Sequence, residues 1–167
     1  MEKRFYPEFY PNFLKELRAL KQLYSYNFIP KLLGYQEKDL SITIQRACGR
    51  NLSSILKESH TNQLLIEEIF KTILKICIVL DIEGIYKDEW NRPYKHVFVN
   101  QHTQEIKIID FDRSLFFSNR KNTLQFLSFI FNYYGMHKEL FSVMCEISRL
   151  LESQIMEYIN WDYHNSE

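Results

Sequence analysis

Tyr86-Lys87-Asp88-Glu89-Trp90-Asn91-Arg92-Pro93-Tyr94-Lys95-His96-Val97-Phe98-Val99, and after a short gap Ile108-Ile109-Asp110-Phe111-Asp112, is the stretch that decides the fold. Its first part is polar and aromatic, and Pro93 both blocks helix and holds Arg92 extended, so it reads as a loop. His96–Val99 and Glu105–Ile109 are β-branched, alternating runs, which predicts two strands joined by a turn over Asn100–Gln104. Two paired strands would set the acidic loop beside the Asp110-Phe111-Asp112 triplet. If the triplet were a chance feature of a helical interaction protein, no paired strands would lie between 96 and 109.

Working outward, Leu64, Leu65, Ile69, Phe70, Ile73, Leu74, Cys77 and Leu80 recur at helical spacing, capped by Thr61 or Asn62 and ended by Gly84. This predicts a long helix running into the loop. Further upstream, Phe13, Leu14, Leu17, Leu20 and Leu23 predict an amphipathic helix over 12–24, with Pro11 and Asn12 as its start signal. Between the two helices, 28–35 and 39–44 read as a hairpin, Cys48-Gly49 as a break, and Asn51 or Ser53 as the cap of a short helix. Downstream, 122–134 and 137–160 read as helices rich in Phe, Leu, Ile and Tyr.

Composition bounds the class. The chain has 167 residues, 46% hydrophobic and 16% aromatic, which suits one ordered α+β domain over 1–167. Lysine plus arginine balance aspartate plus glutamate at 21 each, so no global field favours nucleic acid or an anionic membrane. Cys48, Cys77 and Cys145 match neither a disulfide framework nor a zinc pattern. With no signal peptide or membrane span in the sequence, the expected location is cytoplasmic.

The chemistry follows from the carboxylates. A loop carboxylate, Asp88 or Glu89, can orient or deprotonate a hydroxyl, and Asp110 with Asp112 supplies the hard oxygen ligands that magnesium requires. Arg92 and Lys95, with Lys87, are cations suited to neutralising a transferred phosphoryl group.

Residues 91–99 and 108–114 together resemble the catalytic core of small prokaryotic protein-kinase-like proteins, the group that includes RIO-like kinases and the sugar kinases of lipopolysaccharide cores. The resemblance spans roughly 12 to 134. It implies a reduced N-lobe, a helix plus a short antiparallel sheet over 1–47, and a mainly helical C-lobe over 48–167. It also implies ATP and Mg2+ as cofactors and a protein or small-molecule hydroxyl as acceptor. Asp110 would be the metal-binding aspartate, His96 would stand where the family has a metal-binding asparagine, and Asp88 or Glu89 would be the base. Glu16 on the first helix would pair with a phosphate-binding lysine, Lys3, on a strand at the extreme N-terminus, and Cys48 would lie at the hinge against the nucleotide. No Gly-rich phosphate-covering loop precedes the helix. That departure leaves two functions open: a phosphotransferase, or a catalytically inactive kinase-like binding protein whose N-lobe a partner completes.

Overall fold

The computed structural model describes residues 1–58 and 63–134. The helix expected over 137–160 and Cys145 lie outside the described residues. The elements run β1 (Glu2–Arg4), α1 (Tyr10–Gln22), β2 (Leu32–Gln36), β3 (Ser41–Ile44), β4 (Arg50–Asn51), α2 (Leu52–Leu56), α3 (Gln63–Ile82), β5 (Ile85–Tyr86), β6 (Val97–Val99), β7 (Ile106–Ile108), β8 (Leu115–Phe116) and α4 (Asn122–Tyr134). The class is α+β, with small antiparallel sheets beside helices.

The N-terminal sheet has the order β1-β3-β2 and is antiparallel throughout. β1 is therefore the strand at the extreme N-terminus that the resemblance implied, with Lys3 opposite Ile42. α1 lies beside this sheet and buries Phe13, Glu16, Leu17, Ala19 and Leu20 on one face. Each large apolar side chain so buried contributes about 1.5–3 kcal/mol, so this face holds the helix in place. The helix begins at Tyr10, with Pro11 in its first turn. Asn12 is not its cap; its Nδ2 donates instead to the Asp112 carbonyl at 3.1 Å. An amide placed within the first turn is free to tie the helix to the distant triplet.

A second sheet has the order β4-β6-β7, with Val97 opposite Ile108 and Val99 opposite Ile106. The paired strands between 96 and 109 are thus present, an outcome that the purely helical alternative excludes. Gly49 is required at the entry to β4: its φ is +107°, and a Cβ there would lie 2.3 Å from the Val99 carbonyl oxygen. The Asn51 side chain then caps α2 by accepting from the Ser54 amide at 2.9 Å. The Pro93 segment is not wholly irregular. Residues Pro93–Lys95 form one 3-10 turn, because a proline at the first position of a turn gives up no hydrogen bond. β8, which the sequence reading did not anticipate, pairs with β5 and clamps the loop's start.

The core joins most of these elements. α1, β3, α2, α3, the β6-β7 hairpin, Phe111 and α4 share one cluster of buried side chains. Phe70 of α3 meets Phe126 and Phe129 of α4 edge to face, at 5.9 and 5.6 Å between ring centroids. Among the described residues, no helix is long and apolar enough to cross a membrane.

Candidate functional site

Lys3 brings the sequence's distant parts together. Its Nζ lies 2.6 Å from Asp110 Oδ1, 3.3 Å from Asp112 Oδ2 and 3.5 Å from Glu16 Oε2. β1 aims Lys3 at this point because it pairs with β3, and α1 places Glu16 there because that position shares the buried face of Phe13 and Leu20. Glu16 is only 2% exposed, and its Oε2 accepts the Phe111 amide at 2.6 Å. One carboxylate thus holds both the lysine and the backbone of the triplet.

Asp110 adopts φ +70°, in the left-handed region that a β-carbon disfavours. Its other oxygen, Oδ2, lies 3.4 Å from His96 Nδ1, while His96 Nε2 lies 2.8 Å from Glu89 Oε2. Glu89 is left-handed too, at φ +78°. Two strained carboxylate residues are therefore bridged by one imidazole. Arg113 Nη1 reaches Glu89 from the other side at 3.5 Å. The Arg92 amide donates to the Glu89 carbonyl at 2.9 Å and closes the loop beneath it.

Lys87 is the site residue that the sequence reading weighted least. It is 4% exposed, and its Nζ donates to the Asp110 carbonyl oxygen and lies over the Phe111 ring at 5.3 Å from the centroid. A lysine in a polar loop reads as solvated in sequence; only the chain's passage under the triplet buries it. Its backbone amide is held by Asn122 Oδ1 at 2.8 Å.

Burial and charge act against each other across the cluster. The hydrogen bond with His96, and then the ammonium of Lys3, hold the Asp110 carboxyl well below the usual carboxylate range, with burial opposing them. Burial pushes Glu16 up, partly offset by Lys3 and the Phe111 amide. Burial pulls Lys3 down, but Glu16, Asp110 and Asp112 outweigh it and the net direction is up. Burial lowers Lys87, against the pull of Asp110 and Glu16. The centre is thus a set of carboxylates around cations, partly withdrawn from water.

The structure brings together Lys3, Glu16, Glu89, His96, Asp110 and Asp112. It leaves four predicted residues outside the cluster. Asp88 is exposed and its side chain has no partner among the described residues. Arg92 and Lys95 are also exposed, and their side chains make no hydrogen bond or ion pair among the described residues. The cations that reach the cluster are Lys3 and Lys87 instead. Cys48 is exposed, with Sγ 3.8 Å from the Arg46 carbonyl.

The cluster's fit to a divalent ion can be judged from its donors. Asp110 and Asp112 converge on one cation, and the ammonium of Lys3 stands where a positive charge is called for. Among the described residues no three His, Cys, Asp or Glu side chains form a metal-holding group. Two carboxylates are the complement suited to magnesium that arrives with phosphates, since such an ion draws its remaining ligands from phosphate and water.

No protein-family model matches the chain, and no curated protein matches it either.

Proposed function

We propose that the protein is an ATP- and Mg2+-dependent phosphotransferase of the protein-kinase-like type, moving the γ-phosphoryl group of ATP to a hydroxyl acceptor. The observation that carries this reading is the meeting of Lys3, Glu16 and Asp110, three residues far apart in the chain, at one point. In this reading Lys3, fixed by Glu16, binds nucleotide phosphate, and Asp110 with Asp112 would hold magnesium, whose charge offsets that of the phosphates.

Glu89 serves as the base rather than Asp88, since His96 and Arg113 hold its carboxylate while Asp88 is unrestrained. The acceptor oxygen forms its bond to the γ-phosphorus, the bond from that phosphorus to the β-bridging oxygen breaks, the acceptor proton passes to Glu89, and ADP leaves. His96, which the resemblance placed as a metal ligand, here lies between the two carboxylates and positions them by a contact with each.

Calorimetry with ATP, with and without Mg2+, tests the reading. Wild-type protein is expected to bind in a Mg2+-dependent manner, and Asp110→Ala to lose at least about tenfold in affinity, the scale of one lost charge-assisted contact. Absence of binding in the wild type sinks the proposal. The base assignment has its own measurement: Glu89→Gln is expected to slow ATP turnover by about 100-fold or more with nucleotide binding retained, and Asp88→Asn to leave it near wild type. The reverse order would return the role to Asp88.

A second reading, a kinase-like protein that binds nucleotide or a partner without turnover, is favoured by one observation. Lys3 is shared with Asp112 as well as with Glu16 and Asp110, so two prospective metal ligands are engaged by an internal cation. Mg2+-dependent ATP binding with no turnover in wild type would select it.

A further inference from the structure

Lys95 is a cation the cluster does not use, and it borders a feature of its own. Between α2, the Pro93–Lys95 turn and the end of α4 lies an open groove of about 500 Å3, lined by Ser53, Leu56, Lys57, Tyr94, Lys95 and Tyr133. We propose that this groove docks the phosphoryl acceptor and that the acceptor is an acidic peptide segment carrying a hydroxyl residue.

The inference rests on the phosphotransferase reading and deepens it. Its floor is apolar and aromatic: Tyr94 and Tyr133 are 39% and 37% exposed, and Tyr94 is fixed edge to face on Phe129 at 5.4 Å. Its charge is of one sign. Lys57 and Lys95 are exposed and their side chains make no hydrogen bond or ion pair among the described residues. No acid lines the groove, and the acid next in sequence, Glu58, is taken up by Arg50 at 2.6 Å. The contrast with the cluster is sharp, because there each cation faces a carboxylate or a carbonyl. Unpaired cations over an apolar floor complement a ligand with carboxylates and aliphatic or aromatic side chains. An open groove covers too little of a small molecule to hold it, whereas a peptide running along it gains contacts at each residue.

The groove is continuous along the chain with the loop that carries the chemistry. Its wall is the 3-10 turn, whose next residue is His96, and the Arg92 amide is bonded to the Glu89 carbonyl. A segment seated on Tyr94 and Lys95 is delivered to the loop that carries the base.

The test uses the full chain and a fluorescein-labelled peptide of Glu, Leu and Ser residues, with a second peptide in which every Glu is Lys, followed by anisotropy. The acidic peptide is expected to bind and the basic one not to. Lys57→Glu combined with Lys95→Glu should weaken acidic-peptide binding at least tenfold and raise its KM as substrate by a similar factor at unchanged kcat, while Lys38→Glu on the β2-β3 turn changes neither. ATP binding, measured on the same double variant, should match wild type. Equal binding of both peptides, or no loss in the double variant, overturns the proposal. So does a concentration-independent carbodiimide cross-link from Lys57 or Lys95 to a carboxylate between Glu139 and Glu167, because the groove would then be filled by the chain's own C-terminal segment. Acidic-peptide binding without any ATP binding would leave the docking surface standing while removing the phosphotransferase reading.

Discussion

Two polar clusters lie on either side of the loop that follows α3, and they are built to opposite rules. In one, Asp81 near the end of α3 accepts from the Asn122 amide and Nδ2 at 2.7 and 2.6 Å, and from the Thr123 amide and Oγ1 at 3.1 and 2.5 Å. Asn122 spends its remaining capacity on the Ile85 carbonyl and the Lys87 amide, each at 2.8 Å. Asn122 and Thr123 are fully buried. In the other, the Lys3 ammonium is divided among three carboxylates, two of them beyond 3 Å, and Glu89 and Asp110 carry left-handed backbone. The first cluster gives each of these donors a direct partner, most of them on the one Asp81 carboxylate, and caps α4. The second keeps charges in loose, strained contact, which is what a site must do if its groups are to exchange partners with a ligand.

The contrast can be broken most decisively at Asn122. Asn122→Ala leaves the Ile85 carbonyl, the Lys87 amide and part of the Asp81 carboxylate without partners. It is expected to lower unfolding free energy by about 2–4 kcal/mol in urea denaturation, on the cost of unsatisfied buried groups. A loss under about 1 kcal/mol would mean that water replaces the amide and that the cluster is not structural. Next in size is the opposite case. Asp110→Ala removes a contact between partly exposed groups and relieves none of the core, so its stability is expected within about 1 kcal/mol of wild type even as nucleotide binding is lost. A large destabilisation there would erase the distinction between the clusters.

The smallest effect sharpens the comparison through pH. Asp110 titrates below an ordinary aspartate because of His96 and Lys3, so its contribution to stability is present above the unfolded value of about 4 and is lost as pH falls through its lower folded value. In chelator-containing buffer, any stability advantage of wild type over Asp110→Asn is expected to be level from neutrality to about pH 5 and to shrink only under stronger acid. Glu16 moves the other way. Burial raises it, so it takes its proton before an ordinary glutamate does, and the Lys3 pair weakens from the Glu16 side first.

How much of this was legible follows from particular residues. The strands flanking Asn100–Gln104, the long helix ended by Gly84 and the amphipathic α1 were readable because local periodicity and turn residues specify them. Lys3 and Glu16 were readable as a pair only through the resemblance, since nothing local in Glu2-Lys3-Arg4 distinguishes Lys3 from its neighbours. Lys87 was readable as a nearby cation, but its burial and that of Asn122 were not: each is buried because β5, β8 and α4 close over the loop. For Arg92 and Lys95, whose place beside the acidic loop suggested a role in the cluster, the structure shows exposed side chains with no hydrogen bond or ion pair among the described residues.

The sequence by itself determined the main helices, the hairpin that carries the loop to the triplet, and the residue types available for the chemistry, because these depend on spacing and backbone preference over a few residues. Only the tertiary structure decided which carboxylates share Lys3, that Glu89 rather than Asp88 meets His96, and which cations remain free. Those outcomes depend on where a side chain points after distant elements pack, and burial, which sets each group's charge and partners, is a property of the whole fold.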